Sequence, residues 1–92
     1  VKFSLEITAN NAEGALERIL GCLRQRGFSL CAMIADRTPD HSAIEMRVTV
    51  DATRPVEIAV KQIGKLYDVM HVRAQTMEES NGYRQLQSAT QV

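Results

Sequence analysis

The sequence predicts an α+β domain in the order strand, helix, strand, strand, helix, strand, with four strands in one antiparallel sheet and both helices on one face. Three observations carry this. Alternation of apolar and polar residues marks strands, apolar residues at helical spacing mark two intervening segments, and glycine, proline and turn-forming residues divide them. A chain of 92 residues permits one compact domain with a thin core, and domains of that size are often completed by oligomerisation.

Residues 2 to 8 open the chain as a half-buried strand, with Phe3, Leu5 and Ile7 on one face and Lys2, Ser4, Glu6 and Thr8 on the other. Asn10-Asn11-Ala12-Glu13 then reads as a capping box, and Leu16, Ile19, Leu20 and Leu23 follow at i, i+3, i+4 and i+7. Each of those four side chains contributes roughly 1.5 to 3 kcal/mol when fully buried. That outweighs the helix penalty of about 1 kcal/mol expected at each of Gly14 and Gly21. Gly27 closes the helix, with Arg24 and Arg26 in its last turn where positive charge favours the dipole.

From Phe28 to Ala35 both faces are nearly apolar. Phe28, Leu30, Ala32 and Ile34 fall on one side and Cys31, Met33 and Ala35 on the other, which implies a strand buried on both faces or joined to a partner. Asp36 to Ser42 is turn chemistry, and Ile44, Met46, Val48 and Val50 then alternate with Glu45, Arg47, Thr49 and Asp51, so the two strands make a hairpin. Thr53-Arg54-Pro55 opens a second helix with proline in its first turn. Its inner stripe is Val56, Ala59, Val60, Ile63 and Leu66 or Tyr67. Val69 to Met77 is the last strand, with Met70, Val72 and Ala74 facing in, and the polar, aperiodic residues from Glu78 onward read as a loosely held tail.

Several function classes are excluded. Eleven basic and eleven acidic residues give a formal net charge of zero, with no basic run or aromatic stripe to hold a phosphate backbone, so nucleic acid is not an expected partner. The longest apolar stretches fall far short of a membrane span and the amino end lacks a signal-peptide pattern; the expected location is cytoplasmic. Cys22 and Cys31, with eight residues between them, match neither a zinc pair nor a redox motif, and His41 and His71 have no ligand-spaced neighbours, so free thiols and no metal are expected. No Ser, Cys or Lys sits in a nucleophile motif, and the acidic residues are scattered along expected solvent faces. The chain reads as non-catalytic.

This element order is the ferredoxin-like βαββαβ plan, which hosts RNA-binding, metal-chaperone, acylphosphatase and amino-acid-sensing modules, so the site must decide among them. The central strands lack an aromatic platform for bases, the first loop lacks a metal-binding Cys pair, and Ala9-Asn10-Asn11 stands where an acylphosphatase needs an Arg and an anion cradle. Amino-acid sensing or pure subunit assembly remains. Gly14 fits both: it either packs tightly against a neighbouring strand or admits an anionic group, such as a carboxylate, to the helix N-terminal amides.

Asn11-Ala12-Glu13-Gly14-Ala15-Leu16-Glu17-Arg18-Ile19, Arg26-Gly27-Phe28-Ser29-Leu30-Cys31-Ala32-Met33 and Lys65-Leu66-Tyr67-Asp68-Val69 together resemble the ACT domain of acetohydroxyacid (acetolactate) synthase small regulatory subunits. The Arg-Gly-Phe-x-Leu-Cys-x-Met run resembles most the short, isozyme II type. The resemblance covers residues 2 to 77, which implies an ACT domain over 1–78 and a polar tail over 79–92.

It further implies a regulatory partner that performs no chemistry itself. Such a chain binds and activates a separate catalytic subunit in branched-chain amino-acid synthesis; thiamine diphosphate, Mg2+ and FAD are expected in that partner and no cofactor in this chain. In the longer relatives valine binds between two ACT domains, and the matching effector positions here are Asn11, Ala12, Gly14, Ala15, Ser29 and Leu30. Ser29 stands where valine-sensitive relatives carry Asn, which implies weak or absent valine feedback. A homodimer is expected through the second strand, with Cys31, Met33 and Ala35 at the interface. The alternative is a free-standing ACT module that senses a small amino acid.

Overall fold

The computed structural model describes residues 1–77, so the expected tail lies outside the described residues. The elements are β1 (Lys2–Asn10), α1 (Ala15–Gln25), β2 (Ser29–Arg37), β3 (Ala43–Asp51), α2 (Val56–Gly64) and β4 (Val69–Met77). They form the predicted βαββαβ plan. All neighbouring strands are antiparallel, in the order β2-β3-β1-β4, which places β2 and β4 at the edges.

The alternation in β1 and β3 does what periodicity requires. Phe3, Leu5, Ile7 and Ala9 stand opposite Val50, Val48, Met46 and Ile44 in register, and this face packs against Ile19 and Leu23 of α1 and Ala59 and Ile63 of α2. Leu66 packs on the edge of that core and Tyr67 is exposed, which settles the last position of the α2 stripe. The opposite face is polar. Glu6 lies across from both Arg47 and Arg73, accepting a bond of 2.7 Å from Arg73 Nε and one of 3.3 Å from Arg47 Nη2. The hydrogen bond from Arg73, followed by the charges of both arginines, holds the Glu6 carboxyl below its ordinary range.

Four local expectations are corrected. No side chain caps α1: the helix begins at Ala15, and its N-cap is Gly14 with φ of 81°, so the expected capping box is absent. Asn11 instead spends its side chain on the β2–β3 turn. Pro55 is the N-cap of α2, one position before the helix, where its missing amide costs nothing. In β2 a bulge at Cys31 breaks the pairing between Leu30 and Ala32. Leu30, Met33 and Ala35 therefore stand in register with Val50, Val48 and Met46 on the helix side, while Ala32 and Ile34 stand with Thr49 and Arg47 on the open side. A second irregularity, between Thr8 and Ala9, leaves Met70 of β4 unpaired and exposed, so Val69, Val72 and Ala74 face the core in its place.

The close of α1 follows the expectation from Gly27. With φ of 85°, Gly27 lets its own amide reach Arg24 O at 3.2 Å and the Phe28 amide reach Leu23 O at 3.0 Å. This is a Schellman stop, sealed by the apolar pair Phe28 and Leu23 in the core.

Candidate functional site

The last residue of β1 and the loop that follows it, residues 11–14, are held from two sides, by Asp68 and by the β2–β3 turn. The Asn10 amide donates to Asp68 O at 2.7 Å, the Asn11 amide donates to Ser42 O at 3.0 Å, and Asn11 Nδ2 donates to His41 O at 2.8 Å. His41 offers that carbonyl from a left-handed conformation, φ of 62°, in a turn tied by Asp40. The Asp40 carboxylate accepts from Ser42 Oγ at 2.7 Å, Ser42 N at 3.1 Å and Thr38 Oγ1 at 2.8 Å. These bonds, the Ser42 hydroxyl foremost, lower its pKa from 3.8 to about 2.

At the far side of the loop, Gly14 turns the chain into α1 with no side-chain cap; the Ala15 amide donates to Ala12 O at 3.1 Å, and the amides after it in the first turn are left to solvent or to a ligand. Asn11 and Ala12 are exposed, Gly14 is half-buried and Ala15 is buried. Arg18, one turn into α1, folds back over this turn. A Cβ at position 14 would meet Arg18 Nη1 at 2.8 Å. Arg18 Nε donates to Asp68 Oδ2 at 2.7 Å, Nη2 donates to the same oxygen, and Nη2 also donates to Glu13 O at 3.1 Å.

Ser29 and Leu30 lie elsewhere. Both are exposed at the start of β2, Leu30 by 48%, on a recess of about 480 Å³ lined also by Leu20, Leu23, Arg24, Gly27 and Phe28. Asn10 is in register with Ala43, whereas Ser29 is in register with Asp51, so the two groups sit at opposite ends of the sheet. Eight residue steps of extended chain separate those ends, about 26 Å. One copy of the chain therefore does not bring the six expected effector residues together. The structure groups Asn11, Ala12, Gly14 and Ala15 at one end and Ser29 and Leu30 at the other.

Arg18 and Asp68 escaped the reading of the sequence, which spread the acidic residues over solvent faces. Asp68 is in fact buried, with 4% of its surface exposed. The available signal was position: both residues fall inside the motif segments, Asp68 directly between the end of α2 and the first apolar residue of β4. Among the described residues no three His, Cys, Asp or Glu side chains gather as a metal site, and no helix is long and apolar enough to cross a membrane.

Residues 11–72 match the ACT domain family. The chain is also 33% identical over 72 residues to the acetolactate synthase isozyme 2 small subunit of Escherichia coli, covering 78% of this chain and 83% of that one. This chain belongs to the ACT-domain small subunits of acetolactate synthase. It is equally 33% identical over 69 residues to the isozyme 3 small subunit of Escherichia coli, but there it covers only 42% of the relative. Among solved structures, the acetolactate synthase small subunit of Thermotoga maritima superposes with a TM-score of 0.73 at 16% identity, over 87% of this chain and 50% of that one. The ACT domain of a GTP pyrophosphokinase from Chlorobium tepidum superposes with a TM-score of 0.69 at 9% identity, over 80% and 96%. Those two likenesses speak for the fold; the small-subunit family makes the chain a regulatory, non-catalytic one.

Proposed function

We propose that this chain docks on the thiamine-diphosphate-dependent catalytic subunit of acetolactate synthase and raises its activity, in the cytoplasm and as a homodimer. Thiamine diphosphate, Mg2+ and FAD belong to that partner. The observation that carries this reading is the likeness to the isozyme 2 small subunit, which runs over most of both chains. The division of labour follows from chemistry, since a 2-oxo acid needs a cofactor's electron sink and this chain's part is to bind and position.

Two features support the homodimer and an amino-acid effector. The outer edge of β2 offers unpaired backbone groups beside exposed Leu30, Met33 and Ile34, an arrangement that invites another strand. Antiparallel pairing of two β2 edges about a two-fold axis turns the Ser29 end of one copy toward the Asn11–Gly14 end of the next. The halves that one copy keeps apart would then face each other, with the uncapped start of α1 for a carboxylate and the recess at Leu20 and Leu30 for an apolar tail.

The test is reconstitution with the cognate catalytic subunit. Acetolactate formation should rise on adding this chain, the chain alone should form none, and valine should inhibit weakly or not at all, because the shorter Ser29 brings a single hydroxyl where the Asn of valine-sensitive relatives brings two N–H donors and a separate carbonyl acceptor on a longer arm. No change in rate at saturating chain would overturn the activating role. Amino-acid binding with no effect on the synthase would instead favour the free-standing sensor.

A further inference from the structure

The loop expected to meet an effector leans on the β2–β3 turn through Asn11, and it is also fixed at both ends by a single residue in another part of the chain. Asp68 takes the Asn10 amide on its backbone carbonyl and the Arg18 guanidinium on its carboxylate. The first contact fixes the exit from β1 and the second fixes the entry into α1. Between them the guanidinium also takes the Glu13 carbonyl and passes directly over Gly14, where any Cβ would displace it.

We propose that Arg18 and Asp68 are a positioning pair that sets residues 11–15 in the shape an amino-acid effector requires, and that Gly14 is glycine partly because the guanidinium must cross it. This rests on the reading of that loop as half of an effector site. The chemistry fits positioning rather than general stability. Asp68 is buried while the Arg18 side chain is about half exposed, so the pair reaches from the core outward to the loop. Arginine is needed because Nε and Nη2 act together on Asp68 while Nη2 also reaches Glu13 O. A lysine carries the charge without that fork.

Asp68→Asn and Arg18→Lys, each in the full chain, test the pair by native-state hydrogen exchange together with calorimetry using valine, leucine and isoleucine. The expected result is exchange at least ten-fold faster at residues 11–15, unchanged exchange at core amides such as Ile7 and Val48, and amino-acid affinity at least ten-fold lower than wild type. Exchange at 11–15 that stays at the wild-type rate in both variants overturns the proposal, as does a loosened loop with undiminished affinity. Should Asp68→Asn fail to fold, Arg18→Lys alone decides, because it leaves the buried carboxylate a cation. If wild type binds none of the three amino acids, the effector reading fails, and the exchange data then decide whether the pair fixes the loop.

Discussion

Gly14 shows how much one residue's backbone can demand. The sequence left packing and ligand approach open, and on that basis Gly14→Asp would be a clean loss of binding with the helix intact. The structure adds a left-handed backbone, φ of 81°, and a guanidinium where Cβ would stand. A side chain in that conformation costs about 1–2 kcal/mol for most residues and less for Asn, whose short polar group bonds locally. Gly14→Ala should therefore lower stability in urea by about 1–2 kcal/mol, and Gly14→Asn by less despite its greater size. Equal losses, or none, would show that the turn relaxes to an ordinary conformation. Gly14→Asp should lose both binding and stability, because its Cβ meets the same obstacles.

Among the elements, the β2–β3 hairpin is the support on which Asn11 leans, and its order depends on the charge of Asp40. The folded carboxyl has a pKa lowered from 3.8 to about 2 by Ser42 and Thr38. A lowered folded pKa means that the stabilisation is complete above the ordinary value and is lost as acid protonates the folded form. Protection of the Ser42 amide should accordingly be steady above about pH 4 and decline toward pH 2. Asp40→Ala should show weaker protection and no such decline, as followed by amide exchange across that range. An unaltered decline in the variant would assign it to another group. The exposed carboxylate keeps the effect local, to the turn and to the residue bonded to it, Asn11, through the His41 and Ser42 carbonyls.

For the whole molecule, the sheet is covered on one face and open along β2. Ile34, 67% exposed, stands opposite Arg47 on the open face beyond the bulge. A lysine there would set like charges across the strand pair and charge an apolar edge. Wild type should scatter light as a dimer at tens of micromolar, and Ile34→Lys should shift it toward monomer with its circular dichroism retained. A wild-type monomer under those conditions would remove the β2 pairing, and a dimeric variant would move the interface elsewhere. Because the proposed pairing would join the two halves of the proposed effector site, the monomeric variant should also bind amino acids more weakly.

The order of elements, the core faces of β1 and β3 and the stop of α1 at Gly27 were legible in the sequence, since each depends on spacing or on a glycine within a few residues. The family was legible from three short segments for the same reason. The faces of β2 and β4 were not, because a bulge at Cys31 or Met70 shifts alternation by one residue and leaves no mark in composition. Nor was the cap of α1, because Asn11 had a second partner in a turn thirty residues on. Asp68 looked like a solvent carboxylate until α1 placed Arg18, fifty residues away, against it. The sequence also named residues at both ends of the sheet as one site. Only the strand register shows them about 26 Å apart, since distance across a sheet is set by which strands pair and in what alignment, and that is decided by packing of the whole chain.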